Sequence, residues 1–200
     1  MNTFRKKKFS NLEDAVKQPN DCRVLSLIML DHNLVTKDAD FSKLKNLREL
    51  YIQGNPLIYD LADFDLPSTI GQLMKLEVLS LLNLPIKIFP PWITTLTNLE
   101  YLMVRGTDVT MIPESISELK NLKTLRVENC PLAELPSSLK KMNKLSKLEL
   151  CDTRLINLNS TLFPRNLKHL NFSGTCCYNP SDLEKLHSEL KNTKIYPPSR

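Results

Sequence analysis

LEYLMVRGTDVTMIPESISELKNLKTLRVENCPLAELPSSLKKMNKLSKLELCDT, the run from Leu99 to Thr153, contains the same sentence nearly three times over. The phrase LEYLMVRGT from Leu99 returns as LKTLRVENC from Leu122 and as LSKLELCDT from Leu145, in steps of 23 residues. Between them a second phrase recurs, IPESISEL from Ile112 and LPSSLKKM from Leu135. A fixed period of this length is the mark of a repeat architecture, in which one supersecondary unit is stacked on copies of itself.

Working outward from this run, the first phrase has seven starts: Cys22, Leu47, Leu76, Leu99, Leu122, Leu145 and Leu167, with offsets of 25, 29, 23, 23, 23 and 22. The second phrase also opens at Leu66 and Phe89. Within Leu99 to Arg105 the apolar residues Leu102 and Val104 alternate with Tyr101, Met103 and Arg105, a period of two that predicts a strand with one face in the core and the other open. The ninth position holds Asn55, Thr107, Cys130, Thr153 and Thr175. Such side chains bond the backbone of a neighbouring turn, which a buried loop requires. Leu30 and Leu84 interrupt this ladder. Pro67, Pro90, Pro113 and Pro136 fix φ and donate no amide, which predicts a short helical or extended piece on the back of each repeat. Ile70, Ile93, Ile116 and Leu139, with Leu73, Leu96, Leu119 and Met142, then close the core from behind.

The pattern LxxLxLxx(N/C/T)xL with its LPxxI second half resembles the leucine-rich-repeat family, in particular the 23-residue LPxxI class of intracellular scaffolds. The resemblance runs from residue 22 to about 178. It implies an α/β leucine-rich-repeat solenoid: a curved stack with a parallel sheet on the concave face, short helical or extended segments on the convex face, and a helical cap at each end. The domain reading is a leader and capping helix over 1–21, about seven repeats over 22–178, and a capping helix and tail over 179–200. Ser10-Asn-Leu-Glu13 and Ser181-Asp-Leu-Glu184 read as capping boxes opening the two end helices, with Leu12, Ala15 and Val16, and Leu183, Leu186 and Leu190, turned inward. The second repeat is six residues longer than its 23-residue neighbours, the excess lying in 58–65 with the pairs Tyr59-Asp60 and Phe64-Asp65; insertions in solenoids emerge as loops. That loop is either a binding element or a harmless bulge.

Composition agrees with a folded binding module. Apolar residues make up 42% and charged residues 24% of 200, with a net charge of +5, too mild for a dedicated phosphate binder. No segment approaches the eighteen apolar residues of a membrane span, and no signal sequence is legible behind the basic start. Arg5-Lys6-Lys7-Lys8 reads most simply as a solvated leader, with a nuclear signal or a membrane-surface anchor as the functional alternatives. Five cysteines, Cys22, Cys130, Cys151, Cys176 and Cys177, lack paired spacing, and reduced thiols in a cytoplasmic protein are expected. Cys22 and Cys177 fall at core positions, Cys130 in the ladder, and Cys151 on the concave face.

Catalytic chemistry finds no constellation. The four glycines, Gly54, Gly71, Gly106 and Gly174, form no phosphate loop, and His32, His169 and His187 lie far apart without metal-ligand spacing. The expectation is no enzyme, no cofactor and no metal. Positions three, five and seven of each strand give the concave rows, in which Tyr51, Val78, Leu82, Tyr101 and Met103 cluster as an apolar patch and Arg105, Arg126, Glu128, Lys147 and Glu149 form a charged flank. Aromatic anchors beside arginines are what protein interfaces favour, so the reading is a monomeric protein-interaction module that holds an unidentified partner protein on this face. Alternatives are packing of the patch within the molecule, self-association, a regulatory subunit that recruits an enzyme, a bacterial effector that binds host proteins and, in a different class, a weak nucleic-acid binder, although nucleic acid is the less expected partner.

Overall fold

The computed structural model describes residues 7–29, 38–55, 64–155, 158–175 and 179–197. Among them lies one parallel sheet whose strands stand side by side in chain order: β1 (Lys7–Phe9), β2 (Cys22–Ile28), β3 (Glu49–Gln53), β4 (Val78–Leu82), β5 (Tyr101–Arg105), β6 (Thr124–Glu128), β7 (Lys147–Glu149), β8 (His169–Asn171) and β9 (Lys194–Tyr196). Seven of these, β2 to β8, are the seven repeat starts. In-register pairing puts Leu50, Leu79, Leu102, Leu125, Leu148 and Leu170 in one row and Ile52, Leu81, Val104 and Val127 in the next. Every one of them is buried. An alternation of two in the sequence has become two stacked ridges of core side chains, because a one-residue slip in any pairing would turn all of them outward.

The back of each repeat is a short 3-10 helix, over Ser68–Gln72, Pro91–Thr95, Glu114–Glu118 and Ser137–Lys141, each entered from Pro67, Pro90, Pro113 or Pro136. The proline φ values of −56°, −59°, −70° and −68° are those the pyrrolidine ring imposes. Ile70, Ile93, Ile116 and Leu139 are fully buried, and Leu73, Leu96, Leu119 and Met142 close the layer beside them. Each repeat thus leaves two apolar edges that only its neighbours cover, which makes the stack cooperative between nearest neighbours.

The ends differ from expectation in detail. Helix α1 (Leu12–Lys17) is capped by Asn11, whose side chain accepts from the Asp14 amide at 2.8 Å, and not by Ser10. Helix α2 (Pro180–Glu189) is capped by Asn179, which accepts from the Ser181 amide at 3.0 Å, two residues earlier than the expected cap Ser181. Ala15, Leu186 and Leu190 are buried, and Leu12, Val16 and Leu183 pack partly buried against the core. The sheet also runs on beyond the seven repeats. Lys7 and Lys8 of the basic run, expected as a solvated leader, belong to strand β1, and Ile195 of β9 packs on the core at the other end. Of the basic run, Arg5 and Lys6 lie outside the described residues, as do Leu30, His32, Tyr59, Asp60, Cys176 and Cys177; of the insertion, Phe64 packs partly buried on the core and Asp65 is exposed.

Candidate functional site

The open face of the sheet carries three rows of side chains. Pairing aligns Val24, Glu49, Val78, Tyr101, Thr124, Lys147, His169 and Lys194 in the first, and Ser26, Tyr51, Ser80, Met103, Arg126, Glu149, Asn171 and Tyr196 in the second. The third runs through Ile28, Gln53, Leu82, Arg105 and Glu128. The five apolar residues singled out in the sequence, Tyr51, Val78, Leu82, Tyr101 and Met103, therefore sit on three adjacent strands, and all five are half-buried. Ile28 extends the patch at 52% exposure, a contribution the sequence reading did not single out. A cavity of about 250 Å³ opens among Ser26, Ile28, Tyr51, Gln53, Ser80 and Leu82. Polar atoms of the patch are tied inward: the Tyr51 hydroxyl donates to Glu49 at 3.1 Å, and the Ser80 and Tyr101 hydroxyls lie 3.5 and 3.7 Å from the Met103 sulfur. Burial and the adjacent Glu49 push the Tyr51 phenol up to about 12.

The charged flank is built otherwise than a row of free surface charges. Glu128 and Glu149 are 6% and 7% exposed, and Arg126 lies between them with Nε 2.8 Å from a carboxylate oxygen of each. Lys147 reaches the other Glu149 oxygen at 2.7 Å, and Arg105 stands 3.9 Å from Glu128. Two carboxylates stacked on adjacent strands would repel; the guanidinium charge between them makes the pair tolerable, its Nε donating to Glu128 and lying as close to Glu149. Burial raises the Glu149 carboxyl, but Lys147, Glu128 and Arg126 outweigh it and hold the group below the usual carboxylate range. The same surroundings push the Arg126 guanidinium up although burial opposes it. Three cations, Arg105, Arg126 and Lys147, thus share two carboxylates, and the cluster keeps one positive charge in excess. The charge that remains turned outward is cationic: Arg105 is 52% and Lys147 40% exposed, and Lys194 is exposed.

His169 borders this network. Its Nε2 lies 3.3 Å from Glu149, close enough for an ion pair if protonated, but the atom is enclosed and is not aligned for a hydrogen bond. Its ring is tilted against Tyr196 at a centroid distance of 4.8 Å. Burial first, and Lys147 and Lys194 after it, lower its proton affinity below the ordinary imidazole value, with Glu149 opposing.

Two features of the rim were not read from the sequence. Where the chain leaves the strands, Asn83, Gly106, Asn129, Asp152 and Gly174 follow one another along the stack at positive φ of 51°, 62°, 48°, 54° and 72°. A Cβ on Gly106 would come within 2.3 Å of Asn83 Oδ1, and one on Gly174 within 2.0 Å of Asp152 Oδ1. Each of these glycines is a seat for the side chain of the repeat before it, and the preference of Asn, Asp and Gly for this backbone region was the available signal. On the opposite rim Asn98 and Asn121 donate to Met74 O at 2.6 Å and Thr97 O at 2.9 Å of the preceding repeat, and Asn166 donates likewise to Asn143 O.

The ninth-position ladder is formed as the residues suggest. Thr107 Oγ1 is 3.2 Å from Cys130 Sγ, which reaches Glu128 O at 3.0 Å, while Thr153 and Thr175 donate to Leu150 O and Phe172 O at 2.9 and 2.8 Å. Leu84 takes its place as a buried apolar residue. Cys22 is fully buried and its thiol is pushed up to about 11 by burial. Cys151, half-buried on the open face, is also raised, by burial first, which opposes thiolate reactivity. Among the described residues no group of three metal-ligating side chains is gathered, and no helix is long and apolar enough to cross a membrane.

Comparison with known proteins matches the Leucine Rich Repeat family model over residues 121–142. No curated protein matches the chain. Among solved structures it is similar to TLR13 in its complex with ssRNA13, at TM-score 0.69 and 24% identity over 96% of this chain and 28% of that one. It is also similar to internalin C2 of Listeria monocytogenes, at TM-score 0.64 and 19% identity over 97% and 77%. The plant peptide hormone receptor RGFR1 in complex with RGF2 follows at TM-score 0.61 and 23% identity over 92% and 30%. The chain spans 62% and 57% of two further neighbours, a Leptospira interrogans leucine-rich-repeat protein and internalin F of Listeria monocytogenes. At these identities the likeness is one of fold, and the fold is the leucine-rich-repeat solenoid.

Proposed function

We propose that the chain is a non-catalytic protein-interaction module that holds a partner protein on the open face of its sheet. The carrying observation is the half-exposed cluster of Tyr51, Val78, Leu82, Tyr101 and Met103 on three neighbouring strands, continued by Ile28. Isolated apolar residues are common on protein surfaces, whereas a contiguous patch with aromatic members beside arginines is what interfaces concentrate. The sheet face is roughly 38 Å across at about 4.8 Å per strand step, enough for one ordinary interface. Similarity to the internalins and to a peptide hormone receptor supports the reading at the level of fold.

A free-standing adaptor, a regulatory subunit that recruits an enzyme and a bacterial effector that engages host proteins share this chemistry and differ in the partner. The test is a quantitative pulldown comparing the wild-type chain with Tyr101→Ala/Met103→Ala. A protein retained by the first and lost by the second supports the face; equal retention removes it. The different class is a single-stranded nucleic acid, which TLR13 holds in its complex. Its mark is an affinity that falls steeply as salt rises.

A further inference from the structure

On the premise that the open sheet face is the binding surface, we infer that its occupant is an extended, acidic segment of the partner, with a bulky apolar side chain and a carboxylate four residues apart. The two halves of the face differ in chemistry. At β2 to β4 the cavity of about 250 Å³ has Ile28, Tyr51 and Leu82 as its apolar wall and Lys8, Gln53 and Ser80 at its polar side, and its volume suits one large side chain with an apolar body. At β5 to β7 stand Arg105 and Lys147, 52% and 40% exposed, on either side of Arg126.

What makes this second half a carboxylate site is the way its own acids are used. Glu128 and Glu149 are buried and turned to the Arg126 Nε edge. Arg126 meets both acids through Nε, and its Nη1 lies a long 3.5 Å from the Tyr101 hydroxyl. Arg126 keeps 29% of its side chain exposed. The outward charge between β5 and β7 is therefore positive, and Lys194 adds to it at β9. The complementary ligand group is an anion, and a planar one matches a planar fork.

Spacing follows from the sheet. The cavity is centred on β3 and the cations on β6, three strand steps, or about 14 Å. An extended chain rises about 3.4 Å per residue, so four residues span the gap. An even separation points both side chains the same way. A helix covers only about 6 Å in four residues and would need nine.

The test uses a defined probe. A random peptide library of about twelve residues is panned on the folded chain, and enriched peptides are synthesised with a fluorophore for anisotropy titration. The expected result is enrichment of an apolar residue and an Asp or Glu four positions apart. Replacing that acid by its amide should weaken binding about tenfold or more against wild type and have little effect against Arg105→Gln/Lys147→Gln, whose fold is checked by its melt. Peptides lost on Tyr101→Ala/Met103→Ala but indifferent to Arg105→Gln/Lys147→Gln overturn this inference and leave the sheet-face reading standing. Peptides bound equally by every variant overturn both. A nine-residue spacing, no enrichment, or binding of a single-stranded RNA oligonucleotide in place of peptides also overturns the extended acidic segment.

Discussion

Leu102→Ala and Tyr101→Ala/Met103→Ala act on neighbouring residues of a single strand, and the structure assigns them very different costs. Leu102 is fully buried between Leu79 and Leu125, its register partners on either side, which are themselves fully buried. Truncation removes three carbons, worth about 2.4 kcal/mol at about 0.8 kcal/mol each. Both neighbours are fixed in the parallel ladder and cannot close the void, so a cavity term brings the loss to about 3–4 kcal/mol, inside the range of about 2–5 kcal/mol for such changes. Tyr101 and Met103 are half-buried on the open face, and removing them opens no cavity; the loss is the long contacts to Arg126 and Ser80 and should stay at about 1 kcal/mol. The assay is urea unfolding followed by circular dichroism and by the fluorescence of Trp92, the single tryptophan. With a slope on the order of 3 kcal/mol per molar, Leu102→Ala should move the midpoint down by about 1 M and the double variant by about a third of that. A double variant as damaged as Leu102→Ala would refute the assignment of the two faces. An undamaged Leu102→Ala would refute the packing of the core ridge.

Acid should destabilise the fold in two steps, since both shifted groups are depressed. His169 contributes stability that is full above its unfolded value near 6.5 and is lost as pH falls through its lower folded value, and Glu149 does the same below its unfolded 4.5; melting from pH 8 to pH 3 should show the upper step removed in His169→Gln and the lower one reduced in Glu149→Gln. Gly106→Ala should cost about 1–2 kcal/mol, from the positive φ and the collision with Asn83, and Asn83→Gly added to it should restore part of the loss in a thermal melt. Deleting residues 1–21 removes β1 and α1 and exposes the edge of β2 with the core beneath it; light scattering should report aggregation, and an unchanged monomer with an unchanged melt would mean the first repeat needs no cover.

The seven central strands were legible because two independent periods, two within a strand and 22 to 29 between strands, agree over Cys22 to Asn171, and burial of one face forbids any other register. Strands β1 and β9 were not. Their three residues, Lys-Lys-Phe and Lys-Ile-Tyr, hold no pattern of their own, and they are strands because an adjacent ladder offers them partners. The end helices were placed correctly but their caps were misassigned by one or two residues, since Asn11 and Asn179 compete with Ser10 and Ser181 for the same role. At the candidate site the rows and the apolar patch were legible, and the fate of the acids was not. A glutamate at a surface position reads as solvated; Glu128 and Glu149 are enclosed because Arg126, two residues before Glu128 on β6 and in register with Glu149 on β7, meets both.

The seating of Asn83 over Gly106 and of Asp152 over Gly174 bears on how such a chain can change length. A repeat that ends in a left-handed glycine presents a socket, and one that ends in Asn or Asp presents a plug. At Asn129 and Asp152 plug follows plug on successive repeats, so the constraint falls on the sockets alone. A graft or an evolutionary expansion that moves the repeat of Gly106 or Gly174 should therefore carry the repeat before it, with Asn83 or Asp152, as its matched half.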